Sequence, residues 1–109
     1  MSYQSRKSAL AGLLGTEPKG VHYIADHQFA VGEFEYLVLT GDEADEAFDR
    51  ALDGYLDECI LPQLPEHFRI YFDQDFWKRD AAIDGRGHVL AHYDGWEHEV
   101  GEFFIYRIN

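Results

Sequence analysis

A chain of 109 residues fits one domain and leaves no room for a second independent core. Its 46% hydrophobic and 16% aromatic content excludes a disordered acidic tail, which would be poor in aromatic side chains. With 21 Asp and Glu against nine Lys and Arg the formal net charge is -12, so the basic footprint needed to bind nucleic acid or an anionic membrane is missing.

Residues 1–20 read as a mobile lead or a short helix, punctuated by Gly12, Gly15, Pro18 and Gly20, ahead of a single domain over 21–109. The run Ala9-Leu10-Ala11-Gly12-Leu13-Leu14 is too short and interrupted for a secretory signal or a membrane span, so a cytoplasmic protein is expected. Cys59 is the single cysteine, which rules out an intramolecular disulfide. From Val21 the pattern turns β-like. Phe29-Ala30-Val31 and Phe34-Glu35-Tyr36-Leu37-Val38-Leu39 flank Gly32-Glu33, a two-residue hairpin turn, and predict two antiparallel strands.

Thr40-Gly41-Asp42-Glu43 has the form of a capping box. Behind it Ala44, Phe48, Ala51, Leu52, Tyr55, Leu56, Cys59 and Ile60 recur at three- and four-residue steps, predicting an amphipathic helix that ends before Pro62. Pro62 and Pro65 bracket a bend. Two short helices follow, Glu66 to Phe72 and Asp75 to Ile83, with Asp84-Gly85-Arg86-Gly87 as a turn. His88 to Tyr93 and Phe103 to Ile108 read as a closing pair of strands, joined through residues 94–101. No internal repeat is visible. The order β-β-α-α-β-β predicts an α+β domain, with helices against one small antiparallel sheet.

The helix over 42–58 carries Asp42, Glu43, Asp45, Glu46, Asp49, Asp53, Asp57 and Glu58, with Arg50 its single base. Glu46, Asp49, Asp53 and Asp57 are spaced to form one outward row. At 1.5 Å per residue the segment is about 25 Å long, where duplex DNA carries about 15 charges. A net seven is about half that density, enough to imitate a phosphate row. An ordinary solvated face, or acidity kept for solubility, would carry the same residues.

Other chemistry finds less support in the residues. No calcium loop has the required alternation of acids around a central glycine. His88 and His92 are four apart, with Asp94, Glu97 and His98 following, but zinc sites cluster more tightly and mostly include two or more cysteines. No nucleophile elbow, phosphate loop or metalloprotease motif is present, so neither an enzyme nor a cofactor is expected. Cys59 falls on the apolar face of the helix, where a cysteine is usually inert.

The stretch Leu64-Pro65-Glu66-His67-Phe68-Arg69-Ile70-Tyr71-Phe72-Asp73-Gln74-Asp75-Phe76-Trp77-Lys78-Arg79-Asp80 resembles a motif of the ArdA-type antirestriction proteins of plasmids and phages. There a Pro-Glu lead precedes an aromatic-Asp step and an aromatic, Arg-Asp ending, and the acidic helix before it is similar too. That family consists of elongated acidic DNA mimics that occupy the DNA groove of type I restriction-modification enzymes, usually as dimers. Its members are longer and have three small domains, and the tail from His88 has no counterpart in them. Small acidic anti-CRISPR proteins use the same strategy at different nucleic-acid sites.

The resemblance therefore implies a phage- or plasmid-type inhibitor of a host defence complex, homodimeric as family members usually are. Its partner-binding residues would be Asp42, Glu46, Asp49, Asp53, Asp57 and Glu58 on the helix, with Asp73, Asp75 and Asp80 in the motif. Tyr71, Trp77 and Trp96 are candidate apolar anchors. The alternatives are a structural or regulatory protein-interaction domain whose acidity serves solubility, and a metal- or small-molecule-binding domain that uses the histidine-rich tail.

Overall fold

The computed structural model describes residues 2–82 and 85–109. In chain order it has helix α1 (Ser2–Leu14), strands β1 (His22–Ala25), β2 (Gln28–Val31) and β3 (Phe34–Thr40), and helix α2 (Gly41–Tyr55). Short helices α3 (Glu66–Arg69), α4 (Gln74–Ala81) and α5 (Arg86–Leu90) follow, then strands β4 (His98–Val100) and β5 (Phe103–Arg107). The strands form one antiparallel sheet in the order β1-β2-β3-β5-β4, an α+β fold.

The sheet is built from two alike hairpins. Residues 31–34 and 100–103 both read Val-Gly-Glu-Phe, a repeat that becomes apparent once the strands are seen to pair. Gly32 and Gly101 each take a positive φ, 62° and 60°, at the first position of a two-residue loop. That conformation costs glycine nothing and matches the twist of the flanking strands. Val31 pairs with Phe34 as Val100 pairs with Phe103. The second strands of the two hairpins then pair with each other, Tyr36 with Arg107 through Thr40 with Phe103. Leu37 pairs with Tyr106, and each lies three residues past the Phe of its own Val-Gly-Glu-Phe stretch, so β2-β3 and β5-β4 are related by a local two-fold.

Both faces of the central strands are covered, which is why β5 reads as a nearly unbroken apolar run. Alternation along β3 and β5 sends Tyr36, Val38, Phe103 and Ile105 to one face, where Leu10 and Ala11 of α1 pack with Val21 and Phe29. Leu39 and Tyr106 go to the other face, against Ala44 of α2 and Leu90 and Ala91 at the end of α5. Of the two forms expected for residues 1–20, a mobile lead or a short helix, the helix is present, and it supplies core residues to the domain expected to begin at 21. β1 adds a third N-terminal strand beyond the expected two.

The strand predicted over His88 to Tyr93 is not one: residues 86–90 are helical, and the hairpin partner of β5 is β4, inside the expected connection. A short apolar run fits either period, and packing decides. Here Gly87 lies against the backbone of residues 95–97, where a Cβ would come within 2.8 Å of the Gly95 carbonyl oxygen. That approach seats α5 across α2 and puts Leu90 in the second core. Of the predicted turn and the preceding helix, Asp84 and Ile83 lie outside the described residues.

The extents are 55 × 24 × 23 Å and the radius of gyration is 16.4 Å. A compact chain of this length would have a radius near ~13 Å. The excess comes from an arm: no described residue over 57–82 is buried.

Candidate functional site

The capping box of α2 forms as its residues suggest. Glu43 N–H donates to the Thr40 hydroxyl (3.3 Å) and Thr40 N–H to the Glu43 carboxylate (2.9 Å). The same carboxylate receives both terminal nitrogens of Arg6, at 2.7 and 2.8 Å, and His27 Nε2 lies 3.3 Å away. Arg6 is 4% exposed, stacks over Phe103 and donates to the Val38 carbonyl oxygen (2.6 Å), so this bidentate pair ties α1 to α2 across the end of the sheet. Hydrogen bonding from Arg6, aided by the Thr40 N–H and opposed by burial, lowers the Glu43 pKa from 4.5 to about 2.

The acidic row of α2 exists but is largely capped by cations. Lys78 of α4 reaches Asp49 at 3.0 Å and Asp53 at 2.5 Å, and Arg50 lies 3.4 Å from Glu46. Arg86 of α5 binds Asp45 at 2.7 Å and Glu97 at 2.9 Å, while covering the Phe104 ring. Asp57 and Glu58 fall in a wider π-type turn over Leu56–Ile60, which re-phases them relative to Glu46, Asp49 and Asp53. Among the described residues Asp42, Asp57 and Glu58 are exposed and make no ion pair. The row predicted as continuous therefore divides into a cation-capped middle and open ends.

In the motif segment, Asp73 is the N-cap of α4 and accepts from Phe76 N–H at 2.9 Å. Asp75 and Asp80 are exposed on the same short helix. The apolar side chains between them face solvent: Ile70 is 80% exposed and Tyr71 79%, with Phe68 and Phe76 also exposed. Of the candidate anchors, Tyr71 and Trp96 are free to meet a partner. Trp77 is half-buried and stacks on Tyr55.

His88 and His92 are both exposed, the first within α5 and the second two residues past its end. Among the described residues no group of three or more His, Cys, Asp or Glu could hold a metal ion. Cys59 is exposed, in contrast to the buried position its helical phase predicts, because the wide turn carries it off the apolar face. Tyr106, at the centre of the sheet, donates its hydroxyl to Glu97. Burial and then that hydrogen bond push its phenol well above the usual range.

Sequence reasoning missed Arg6, Lys78 and Arg86, the three cations that organise these carboxylates. Their partners lie 37, 29 and 41 residues away, so no local spacing announces them. No described helix is long and apolar enough to cross a membrane. No protein-family model, curated protein or solved structure matches this chain.

Proposed function

We propose that this chain inhibits a host defence complex, of the restriction-modification or CRISPR type, by occupying its DNA-binding site as an acidic mimic in the host cytoplasm. The observation that carries the reading is a rod-like shape with exposed carboxylates along it. Twelve net negative charges over 55 Å give about one per 4.6 Å, roughly a third of the density of duplex DNA. Open acids lie at both ends of α2 and on the arm, at Asp42, Asp57, Glu58, Asp75 and Asp80. Such charges speed and orient docking into a Lys/Arg-lined groove, and exposed Tyr71 and Trp96 offer the apolar contacts that fix affinity.

A specific observation favours a second reading, a protein-interaction domain whose acidity serves solubility. The cations Arg50, Lys78 and Arg86 neutralise the middle of the acidic row, while the arm presents large apolar side chains. One experiment separates the two. Purified type I restriction and CRISPR effector complexes are loaded with labelled target duplex and challenged with this protein at two salt concentrations. Mimicry requires displacement of the duplex that weakens as salt rises. Binding to a complex that leaves its duplex in place, with little salt dependence, supports the second reading. No displacement from any such complex ends the first.

A further inference from the structure

Between α2, α4 and α5 lies a cavity of about 510 Å³, within the ~300–1,000 Å³ typical of small-molecule sites. Tyr55 and Trp77, stacked with ring planes 10° apart and centroids 5.7 Å apart, form an aromatic side of it. Ala51 and Ala81 keep the space open because their side chains are small, and His88 and His92 bring the polar edges. Although 21 of the 109 residues are Asp or Glu, no carboxylate is among the described lining residues.

Each feature constrains the occupant. A stacked aromatic pair favours a planar ring, which can extend the stack, over an aliphatic one. A neutral imidazole offers one donor and one acceptor, which suits a ring whose edge carries both. A cation would find no carboxylate to pair with, and an anion would enter against the field of a chain carrying -12. We propose that this cavity binds a neutral planar heteroaromatic of the nucleobase or nucleoside class, with its ring against the stacked Tyr55–Trp77 pair and its edge bonded to His88 and His92. The site is independent of the acidic surface and of the function proposed for it.

The test uses the full chain with Trp96→Phe, which leaves Trp77 as the one indole; Trp96 is exposed and is not among the residues lining the cavity. Adenosine, guanosine, cytidine and thymidine are titrated while Trp77 fluorescence and binding heat are followed. Their 5′-monophosphates serve as anionic probes and cyclohexanol as the non-aromatic one. The expected result is saturable quenching by at least one nucleoside, weaker with its monophosphate and absent with cyclohexanol. Ala51→Leu, which fills the cavity, and His92→Leu, at an exposed position, should each weaken binding about tenfold or more. Circular dichroism checks that Ala51→Leu still folds, and His92→Leu keeps the test valid if it does not. The proposal is overturned if no nucleoside binds at millimolar concentration, or if cyclohexanol binds equally well. Unchanged affinity in His92→Leu, or Trp77 fluorescence that varies with protein concentration alone because a second copy fills the cavity, overturns it as well.

Discussion

Replacing Glu43 by Gln should be among the most destabilising single changes in this protein. The carboxylate is the N3 partner of the α2 capping box and also receives the Arg6 fork, at 2.7 and 2.8 Å. Its pKa is lowered from 4.5 to about 2, and at 1.36 kcal/mol per unit this corresponds to about 3 kcal/mol of folding stability. Because the folded-state value is the lower one, this stability is fully present above about pH 4.5 and is lost as the pH falls toward 2. Gln keeps one acceptor oxygen but strands a buried guanidinium, for which a cost of about 3–5 kcal/mol is usual. For a domain of this size that lowers Tm by at least ~12 °C. Urea denaturation of both proteins at pH 7 and near pH 2 provides the check. The gap should be wide at pH 7 and should shrink in acid, where wild-type Glu43 is itself becoming protonated. Arg6→Met combined with Glu43→Gln should recover part of the loss, since no charge is then left unpaired. A Glu43→Gln protein within about 0.5 kcal/mol of wild type at pH 7, or a gap unchanged in acid, would refute this account of how α1 and α2 are joined.

Truncating buried Leu52 to Ala should cost about 2–5 kcal/mol, and half-buried Phe48→Ala less than a full core deletion, both read from chemical denaturation. The triple change Asp42→Asn, Asp57→Asn and Glu58→Gln should leave folding intact and weaken capture of the target complex, mainly through a slower on-rate in surface plasmon resonance. Asp49→Asn with Asp53→Asn should instead free Lys78 and loosen α4, seen as faster proteolysis of the arm, with less effect on the on-rate. Random duplex DNA should show no gel shift at physiological salt with micromolar protein, and a shift would contradict the mimic reading. EDTA should leave Tm unchanged, and a drop of several degrees would point to a metal near His88 and His92.

Where the determinants are local, the sequence was readable. The capping box at Thr40–Glu43, the apolar phase of α2 as far as Leu52 and the glycine of the 32–33 turn act within four residues, and each appears where its pattern places it, whereas Tyr55 and Cys59 of the same predicted face are exposed. The second Val-Gly-Glu-Phe stretch carries the same turn signal, but it overlaps residues 94–101, whose glycines equally fit a connection. Other features depended on distant contacts. The approach of Gly87 to residues 95–97 holds His88–Leu90 as a helix packed on the sheet and not a strand within it, and nothing in the run itself favours helix over strand. The periodicity of Glu46, Asp49 and Asp53 could be read, whereas their neutralisation by Arg50 and Lys78 depends partly on how the arm folds back. Arg6 sits in a segment that reads as a mobile lead or a short helix outside the domain, yet it anchors that helix beneath the sheet.

The two alike hairpins have a consequence for how the chain finds its fold. Each can zip independently on the ~1–10 μs timescale, because its strands are separated by two residues. The step that joins them pairs Thr40 with Phe103 and Tyr36 with Arg107, closing a loop that contains α2, the arm and α5. Refolding should therefore be limited by this non-local search, with rates in the millisecond-to-second range rather than those of a helical bundle. Until the loop closes, β3 and β5 display similar unpaired edges in every molecule. At high protein concentration one molecule's hairpin can take the place of another's, so the yield of monomer after refolding should fall as concentration rises.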